Sequence, residues 1–362
     1  MRILHLGTDS FGGYGGIALY NRELIAALAS HPEVSEVVVV PRLIPGAMEP
    51  LPPRVTFVER AARGKLAYMR ALRAAKARGG FDLVMCAHAH LLSAARFFSD
   101  RPVLFIYGIE AWKPLRDPVT SHLARSAGAV VSISGVTLDR FVVWSQYEGA
   151  VHIVPNSIRA EAYGIRPKNA EMLRRYGLEG KRVLLTLGRV VTAERYKGFD
   201  EVLEVLPQLG PDVVYLIAGG GNGVPALRRK AAALGVADRV VFTGRFPEEE
   251  KADLYSLADV YVMPSRGEGF GFVFLEAMAS GVPVIGSRAD GGREALQFGA
   301  LGRLVDPANP AEIRVAVSDV LANPAPRAIP PGLDAFSFAN FERRVHALLD
   351  EEAATRHSHV RR

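Results

Sequence analysis

The sequence has little of what marks several large classes of protein. Its 362 residues include one cysteine, which excludes a disulfide framework and a thiolate metal cluster. No stretch approaches the ~18 consecutive apolar residues that a membrane-spanning helix needs. Disorder is excluded as well, because 49% of the residues are hydrophobic and only 23% are charged. What remains is a globular chain long enough for two domains.

The N-terminal sequence and the charge distribution indicate where the chain acts and what it binds. MRILHLGTDS has one arginine and a short apolar run that continues into glycine, so it predicts a strand and not a signal peptide. We therefore expect a cytoplasmic protein, in which Cys86 is a small buried hydrophobe. The formal net charge is +6, and residues 1–165 hold 18 Lys and Arg against 13 Asp and Glu. That surplus favours an anionic partner for the first half of the chain.

Short β-branched runs alternate with helical patterns along the whole chain. The predicted strands are MRILHLGT, EVVVV, RVTFV, FDLVMCA, PVLFIYG and AVVSIS, then RVLLTLGRV, VVYLIAGGG, RVVFTG, DVYVMPS and VPVIGS. Helical segments between them indicate βαβ units, and hence parallel sheets covered by helices on both faces. The polar stretch RPKNAE marks a boundary near residues 160–170. We expect Rossmann-like α/β domains over 1–160 and 161–335, and a C-terminal helix and tail over 336–362 that returns to the first domain.

Two glutamates follow the predicted strand DVYVMPS. In SRGEGFGFVFLEAMASG, Glu268 and Glu276 stand eight positions apart, with Gly269 and Gly271 between them. The glycines allow the backbone to approach a ligand, and the free N–H groups where the next helix begins form an anion site. Glu268 precedes this helix and can reach sugar hydroxyls, whereas Glu276 can accept bonds from ribose hydroxyls. A solvated glutamate pair is the alternative, but an unused carboxylate among the apolar neighbours of Glu276 would be costly.

This segment resembles the E-x7-E signature of retaining glycosyltransferases with the GT-B fold, in the large family GT4. The resemblance extends over nearly the whole chain, through FGGYGGIALY, the PNS turn at 155–157, LGRVVTAERYKGFD and GGREAL. It implies two Rossmann-like domains that face each other across a cleft. It also implies that the second domain holds most of a nucleotide-sugar donor while the first receives the acceptor. Retention in this family is described as front-face attack assisted by the leaving phosphate, which needs no carboxylate nucleophile.

The resemblance assigns a donor site. By similarity to the family's GR…KG pattern, Arg189 and Lys197 hold the diphosphate, and with Glu268 they form the predicted catalytic set. Cations at the leaving oxygens stabilise the charge that develops as the glycosidic bond breaks. No D-x-D sequence and no His/Cys cluster with ligand spacing occurs, which fits an enzyme without a metal or other cofactor. The predicted donor-binding residues are Gly15, Gly16, Gly219, Gly220, Phe246, Phe270, Gly271, Phe272 and Glu276.

The predicted donor contacts include two glycine-rich turns, one in each half of the chain. The glycine loop at 12–16 lacks the G-x-G-x-x-G spacing, and no acidic residue ends the next strand, so a dehydrogenase is disfavoured. In the resembled family this loop lies near the donor phosphates and the acceptor. Gly219 and Gly220 follow a strand, where a simple tight turn is the alternative. Choice between uridine and guanosine depends on backbone contacts around 243–246.

The predicted acceptor side lies in the first domain, at Tyr107, Glu110, Trp112 and His90. Many relatives have a sugar-contacting histidine where this chain has Tyr107, whose hydroxyl can still donate to a sugar oxygen. Glu110 and Trp112 follow in the same loop, and aromatic faces stack on sugar rings. For His88 and His90, which follow the strand DLVMCA, a structural role is the alternative.

Residues 60–78 carry seven basic side chains and no acidic one, with Leu66, Met69 and Leu72 at threefold spacing. One interpretation is a basic helix on an anionic membrane, at about 1 kcal/mol for each cation near the lipid. The other is a solvated helix that packs these three apolar residues on the sheet. We favour the first, which predicts peripheral attachment to the inner face of the plasma membrane. A nucleic-acid partner is disfavoured because aromatic residues do not interleave with the charges. The predicted membrane-contact residues are Arg63, Lys65, Arg70, Arg73 and Lys76.

The combined expectation is a retaining, metal-independent hexosyltransferase. It would transfer a glucose- or mannose-type sugar from a UDP- or GDP-sugar to a carbohydrate or a polyprenyl or other lipid-linked acceptor, in bacterial-type polysaccharide or glycolipid synthesis. The alternative is a non-catalytic GT-B-shaped subunit that binds nucleotide-sugars or serves as a scaffold. The presence of all four charged residues Arg189, Lys197, Glu268 and Glu276 argues against that alternative.

Overall fold

The computed structural model describes residues 1–360, with side chains up to residue 355. The chain divides into two compact units: Met1–Ser157 together with the segment that begins at Phe338, and Ile158–Ser337. Of the C-terminal tail expected within 336–362, residues 361–362 lie outside the described residues.

The first unit is built on a parallel sheet. Its strands are β1 (Arg2–Gly7), β2 (Glu36–Pro41), β3 (Val55–Phe57), β4 (Leu83–Ala87), β5 (Val103–Ile106), β6 (Ala129–Ser132) and β7 (Ala150–Ile153). Within residues 1–360 these seven strands lie in the order β3-β2-β1-β4-β5-β6-β7. The order reverses direction between β1 and β4, the kind of point beside which open α/β sheets bind ligands.

Helices of the first unit connect these strands. They are α1 (Gly16–Ser30), α2 (Lys65–Arg78), α3 (Leu92–Arg96), α4 (Pro118–Leu123) and α5 (Gly135–Ser145), with short 3₁₀ turns at Glu59–Arg63, Ala89–Leu91 and Ile109–Ala111. Side-chain caps begin two of them: the Ser134 hydroxyl accepts the Thr137 N–H at 3.1 Å, and Asp117 accepts the Val119 and Thr120 N–H groups. Such caps satisfy N–H groups that have no partner inside the helix.

The second unit repeats the same construction. Its strands are β8 (Arg182–Leu187), β9 (Val213–Ala218), β10 (Val240–Gly244), β11 (Val260–Met263), β12 (Val284–Ser287) and β13 (Arg303–Val305). Its helices are α6 (Ala170–Tyr176), α7 (Phe199–Val205), α8 (Val224–Ala233), α9 (Lys251–Leu257), α10 (Phe272–Ala279), α11 (Gly292–Ala295) and α12 (Pro310–Ala322). In the described part of the chain these six strands lie in the order β10-β9-β8-β11-β12-β13, with the reversal between β8 and β11.

The long C-terminal helix α13 (Phe338–Val360) belongs to the first unit, where it packs on α1. The Phe341 ring is fully buried and meets the Tyr20 ring edge-on, with centroids 5.4 Å apart. Polar contacts extend the interface, because His31 Nε2 lies 3.3 Å from the Asp350 carboxylate.

The prediction of two parallel-sheet α/β domains is confirmed, although the patterns missed several short elements. Among them are the edge strands β7 and β13, in which Val305 is the one buried residue, so neither strand carries a buried apolar run. The predicted helix HLLSAARFF is a 3₁₀ turn followed by the five residues of α3. None of the helices described is both long and apolar enough to cross a membrane.

Candidate functional site

The loop between β11 and α10 carries Glu268, and a buried carboxylate holds this loop in place. The Glu268 N–H donates to Asp290 Oδ2 at 2.8 Å, and the Ser265 hydroxyl donates to the same oxygen at 2.7 Å. The Gly292 N–H donates to Asp290 Oδ1 at 3.0 Å. Asp290 is completely buried, so these bonds are hard to replace with water. Our sequence reasoning did not single out Asp290; its signal is an acidic residue directly before the two glycines of GGREAL.

Two glycines bring this loop into close contact with its surroundings. A Cβ atom on Gly291 would lie 1.9 Å from the Gly269 carbonyl oxygen, so only glycine fits there. Gly271 has a φ of +96°, and a Cβ on it would meet the Glu268 Cγ at 3.1 Å. Glu268 therefore lies beside the first turn of α10, which begins at Phe272.

Arg189 and Lys197, the two predicted diphosphate cations, follow β8 and share one counter-ion. The Glu194 carboxylate forms ion pairs with the Arg189 guanidinium and with Lys197 Nζ, the latter at 3.0 Å. Lys197 is held near the end of β8, since a Cβ on Gly188 would lie 3.2 Å from its Nζ. The structure thus brings both predicted cations together. It adds Glu194, which our sequence reasoning missed although it lies inside the GR…KG segment.

Charges around Glu268 alter its protonation. Burial, which is the largest cause, and the nearby Asp290 and Glu194 carboxylates together raise the pKa of Glu268 to about 7, although Lys197 acts in the opposite direction. Glu268, Lys197, Glu194 and Asp290 therefore form one electrostatic cluster in the second unit. In the described residues no group of three or more His, Cys, Asp or Glu side chains is arranged to hold a metal ion.

Glu276 is enclosed in the second unit, where it has protein partners. Its side chain is 3% exposed, so the solvated-pair alternative is wrong for this residue. Lys251 Nζ lies 3.1 Å from Oε1, and the Tyr255 hydroxyl donates to Oε2 at 2.8 Å. Burial lowers the pKa of Lys251, but the Glu276 and Glu248 carboxylates outweigh it and leave that pKa above its usual value. Our sequence reasoning did not identify Lys251 and Tyr255.

Three further predicted donor positions in the second unit are Gly219, Phe270 and Phe246, and the structure shows how each one packs. A Cβ on Gly219 would lie 1.9 Å from the Gly188 carbonyl oxygen, which gives this glycine a packing role and supports the tight-turn alternative. The Phe270 ring is buried against Phe336, with centroids 5.3 Å apart. Phe246 is half-buried just after β10.

The glycine loop of the first unit is open where α1 begins. Gly15 has a φ of +85° and stands immediately before α1, and a Cβ there would meet no atom within 4 Å. Gly16 is exposed at the start of the helix. This part of the backbone is accessible to a ligand, as the prediction for Gly15 and Gly16 requires.

The predicted acceptor-side residues are already engaged within the first unit. The Tyr107 hydroxyl donates to Asn21 Oδ1 at 2.8 Å, and the side chain is 6% exposed. Glu110 Oε1 accepts the Tyr107 and Gly108 N–H groups at 2.6 and 3.1 Å, so this carboxylate supports the turn. The Arg140 guanidinium lies 3.8 Å from the centre of the Trp112 ring, so one ring face is covered. Donation from the Tyr107 hydroxyl to a sugar oxygen would require it to release Asn21.

The two histidines after β4 differ in exposure. His90 is exposed, whereas His88 is buried and its Nδ1 accepts the His90 N–H at 3.2 Å. Burial lowers the pKa of His88 to about 4, and the neighbouring His90 contributes in the same direction. Cys86 is buried as expected, and burial raises the pKa of its thiol to about 12.

Helix α2 presents a basic and partly apolar face to solvent. Leu66 is 76% exposed and Met69 is 49% exposed, whereas Leu72 is 2% exposed. The interpretation in which all three pack on the sheet is therefore wrong for Leu66 and Met69. The buried face of α2 instead includes Tyr68 and Ala71 together with Leu72. The predicted membrane-contact residues Arg63, Lys65, Arg70, Arg73 and Lys76 are all exposed, and contact with a membrane stays a prediction.

Two parallel-sheet units of this topology define the GT-B class of glycosyltransferase fold. The chain matches HepE from Anabaena, solved with UDP and glucose, with a TM-score of 0.75 over 97% of this chain and 100% of that one. It also matches the lipopolysaccharide outer core galactosyltransferase WaaB, with a TM-score of 0.71. Sequence identities are 20% and 17%, so these similarities establish the fold alone.

Sequence comparison identifies the family. Residues 168–330 match the family model of glycosyl transferases group 1, and the chain therefore carries a domain of this family, which confirms the resemblance. A GDP-mannose-dependent alpha-(1-6)-phosphatidylinositol monomannoside mannosyltransferase of Mycolicibacterium smegmatis is 35% identical over 58% of this chain. A D-inositol 3-phosphate glycosyltransferase of Thermobispora bispora is 30% identical over 69%. The matches span 57% and 59% of the lengths of these relatives.

Proposed function

We propose that this protein is a retaining, metal-independent glycosyltransferase that moves a glucose- or mannose-type sugar from a UDP- or GDP-sugar to a carbohydrate or lipid-linked acceptor. The observation that carries the proposal is a charged cluster in which Glu194 pairs with both Arg189 and Lys197, and Lys197 in turn lies near Glu268. All three lie inside the segment that matches the family. The relatives' use of GDP-mannose and of inositol-containing acceptors supports the substrate class.

The donor site would work through charge and hydrogen bonding. Arg189 and Lys197 bind the diphosphate and stabilise the negative charge that develops on it as the glycosidic bond breaks. The backbone N–H groups of 270–272, where α10 begins, add donors to the same anion. Glu268 binds hydroxyls of the transferred sugar. Glu276 accepts the ribose hydroxyls, since a carboxylate oxygen can accept a second hydrogen bond beside those from Lys251 and Tyr255.

The acceptor would bind at the first unit, where Gly15, Gly16 and His90 are accessible. For a lipid-linked acceptor we propose that the exposed face of α2 rests on anionic lipid. Its cations would attract the headgroups, and Leu66 and Met69 would enter the interface. This arrangement would make the enzyme a peripheral membrane protein on the cytoplasmic side.

The first experiment is a thermal-shift panel of UDP, GDP, ADP and their hexose conjugates, with EDTA and without added metal. A ligand at 100 times its dissociation constant stabilises the folded state by about 2.7 kcal/mol, which gives a measurable rise in the melting temperature. We expect a shift with one nucleotide family that Arg189→Ala and Lys197→Ala abolish. Arg182→Ala is the matched control. Arg182 is the first residue of β8, at the opposite end of that strand from Arg189, and it pairs with Asp212. A wild-type shift without any sugar transfer would favour the non-catalytic subunit, and the absence of any shift would contradict the proposal.

A second experiment separates the ribose contact from the diphosphate contact. Glu276→Gln should weaken binding of the nucleoside diphosphate but leave binding of inorganic pyrophosphate unchanged, because pyrophosphate has no ribose. Arg189→Ala should weaken both. If Glu276→Gln lost affinity equally for the nucleoside diphosphate and for pyrophosphate, the substitution would be disturbing the fold, and the support for a ribose contact would be removed.

A further inference from the structure

The two cations that the proposed function assigns to the donor diphosphate are already neutralised by a residue of the chain. Glu194 pairs with Arg189 through one carboxylate oxygen and with Lys197 through the other. The Glu194 side chain is 12% exposed, whereas the Arg189 side chain that it pairs with is 76% exposed. Glu194 thus spans the same pair of charges that a diphosphate would span.

We propose that Glu194 is an internal counter-ion that occupies the diphosphate subsite before the donor binds and that must leave the two cations when the diphosphate arrives. This inference rests on the proposed function, to which it adds a residue that sets affinity for the donor and for the nucleoside diphosphate product. Glu194 is a positioning residue in this role, since it acts through Arg189 and Lys197.

Charge balance makes simultaneous binding unfavourable. The cluster already contains the carboxylates of Glu194, Glu268 and Asp290 against two cations. A diphosphate adds further negative charge at short range, where repulsion between like charges is strong in a partly buried site. Binding of the diphosphate therefore requires that one of the three carboxylates moves away or takes up a proton.

Of the two carboxylates beside Glu268, Glu194 is held less firmly than Asp290. Asp290 is fixed by the hydrogen bonds from Ser265, Glu268 and Gly292. Glu194 instead lies in the short 3₁₀ segment Thr192–Lys197, at a position whose backbone is not helical, with φ −112° and ψ 28°. Its buried Oε2 meets no hydrogen-bond donor in the described residues beyond the Lys197 ammonium. Rotation of this side chain would therefore break two ion pairs and no network.

A neighbouring arginine shows how specific the arrangement is. Arg195 is next in the chain, but its guanidinium is bonded to Asp200, with Arg195 Nε 2.9 Å from Oδ2. Asp200 is also bonded to Lys230 at 3.0 Å, so Arg195 is held away from the diphosphate cations. Glu194 is therefore the residue that competes with the diphosphate for Arg189 and Lys197.

The test compares Glu194→Gln with wild type by calorimetric binding of the nucleoside diphosphate found in the thermal-shift panel and of inorganic pyrophosphate. We expect Glu194→Gln to bind both ligands about tenfold more tightly, a gain of about 1.4 kcal/mol. Turnover should show a lower KM and a lower kcat with stronger product inhibition, because the returning carboxylate no longer helps to expel the product. Glu194→Asp should restore wild-type affinity. A structural role alone would not tighten binding.

Glu204→Gln provides the control, because Glu204 also pairs with a lysine, Lys230 at 2.5 Å, but outside the cluster. It should leave both affinities unchanged. If the wild type binds pyrophosphate through Arg189 and Lys197 while Glu194→Gln binds it equally or more weakly, the counter-ion role is wrong and the donor site stands. If neither protein binds any nucleotide or pyrophosphate, the proposed function fails and the counter-ion role fails with it.

Discussion

Glu268 and Glu276 stand eight positions apart in one segment, yet their surroundings give them different chemistry. Glu276 is enclosed with the Lys251 ammonium and the Tyr255 hydroxyl, both of which stabilise a carboxylate. Glu268 lies near two other carboxylates, Asp290 and Glu194, with Lys197 as the nearby cation. Burial, together with these two carboxylates, raises the pKa of Glu268 to about 7. Residue type alone does not reveal this difference, because it depends on which side chains the fold brings near.

The raised pKa of Glu268 predicts a pH dependence of donor binding. Below about pH 7 the folded protein holds Glu268 mostly neutral, and above it the ionised side chain adds negative charge beside the diphosphate. Affinity for the intact nucleotide-sugar should therefore fall as the pH rises from about 6 to about 8, by about three- to tenfold. The nucleotide-sugar is the right probe, since its diphosphate does not titrate in this range.

Glu268→Gln should flatten this profile, because glutamine stays neutral across the range, while Glu204→Gln should keep the wild-type slope. Calorimetric titration at several pH values measures both. An unchanged slope in Glu268→Gln would mean that another group titrates.

At the scale of elements, the loop between β11 and α10 depends on the turn that begins α11. Asp290 bonds the loop, and Gly291 leaves room for the Gly269 carbonyl. The loop and the turn come from distant parts of the segment, so neither forms the site by itself. A change in the turn should therefore affect the site without touching a ligand.

Gly291→Ala tests this dependence. The added Cβ would lie 1.9 Å from the Gly269 oxygen, and we expect a loss of about 1–3 kcal/mol in the free energy of unfolding together with loss of nucleotide binding. Gly235→Ala is the control: Gly235 has a φ of +69° but no atom within 4 Å of the new Cβ. It should cost about 1–2 kcal/mol and leave binding intact. Urea unfolding and calorimetry distinguish the two; intact binding in Gly291→Ala would disprove the coupling.

Helix α2 allows a second prediction at this scale, because it separates a buried from an exposed apolar face. Leu72→Ala should lower the free energy of unfolding by about 2–5 kcal/mol, since Leu72 is 2% exposed. Leu66→Ala and Met69→Ala should change it by no more than about 0.5 kcal/mol. If the membrane proposal is right, the Leu66 and Met69 variants should bind anionic vesicles more weakly than wild type. Equal binding by all variants would remove the apolar face from the interaction.

At the scale of the whole molecule, the two units differ in how the chain completes them. The second unit is one continuous segment, Ile158–Ser337, whereas the first needs α13 from the far end of the sequence. The contact between Phe341 and Tyr20 therefore joins residues more than three hundred positions apart. The free energy of unfolding of the first unit should therefore depend on residues of α13, which follow the second unit in the sequence.

Phe341→Ala should destabilise the first unit by about 3–5 kcal/mol, because the ring is completely buried. Nucleotide binding, which we assign to the second unit, should persist. Phe298→Ala is the control in the second unit, since Phe298 is 71% exposed, and it should melt like wild type. Thermal unfolding followed by circular dichroism, with and without nucleotide, measures both effects. Loss of nucleotide binding in Phe341→Ala at temperatures where the protein is folded would contradict this division.

The sequence by itself determined the α/β architecture and the segment that matches the family. Alternating apolar runs fixed the parallel α/β construction, and local spacing around Glu268 and Lys197 marked the segment that matches the family. Such patterns are local, so one sequence suffices to read them. The sequence patterns missed β7 and β13 because these strands lie at the edges of their sheets and bury little apolar surface.

Only the tertiary structure decided which partners these residues have. It placed Glu194 between Arg189 and Lys197, Asp290 under the Glu268 loop, and Lys251 beside Glu276. It also directed the Tyr107 hydroxyl to Asn21 rather than to solvent. Glu268 and Asp290 are 22 positions apart, Glu276 and Lys251 are 25 apart, and Tyr107 and Asn21 are 86 apart. Charge and hydrogen bonding depend on distance in space, and folding sets that distance independently of separation along the chain.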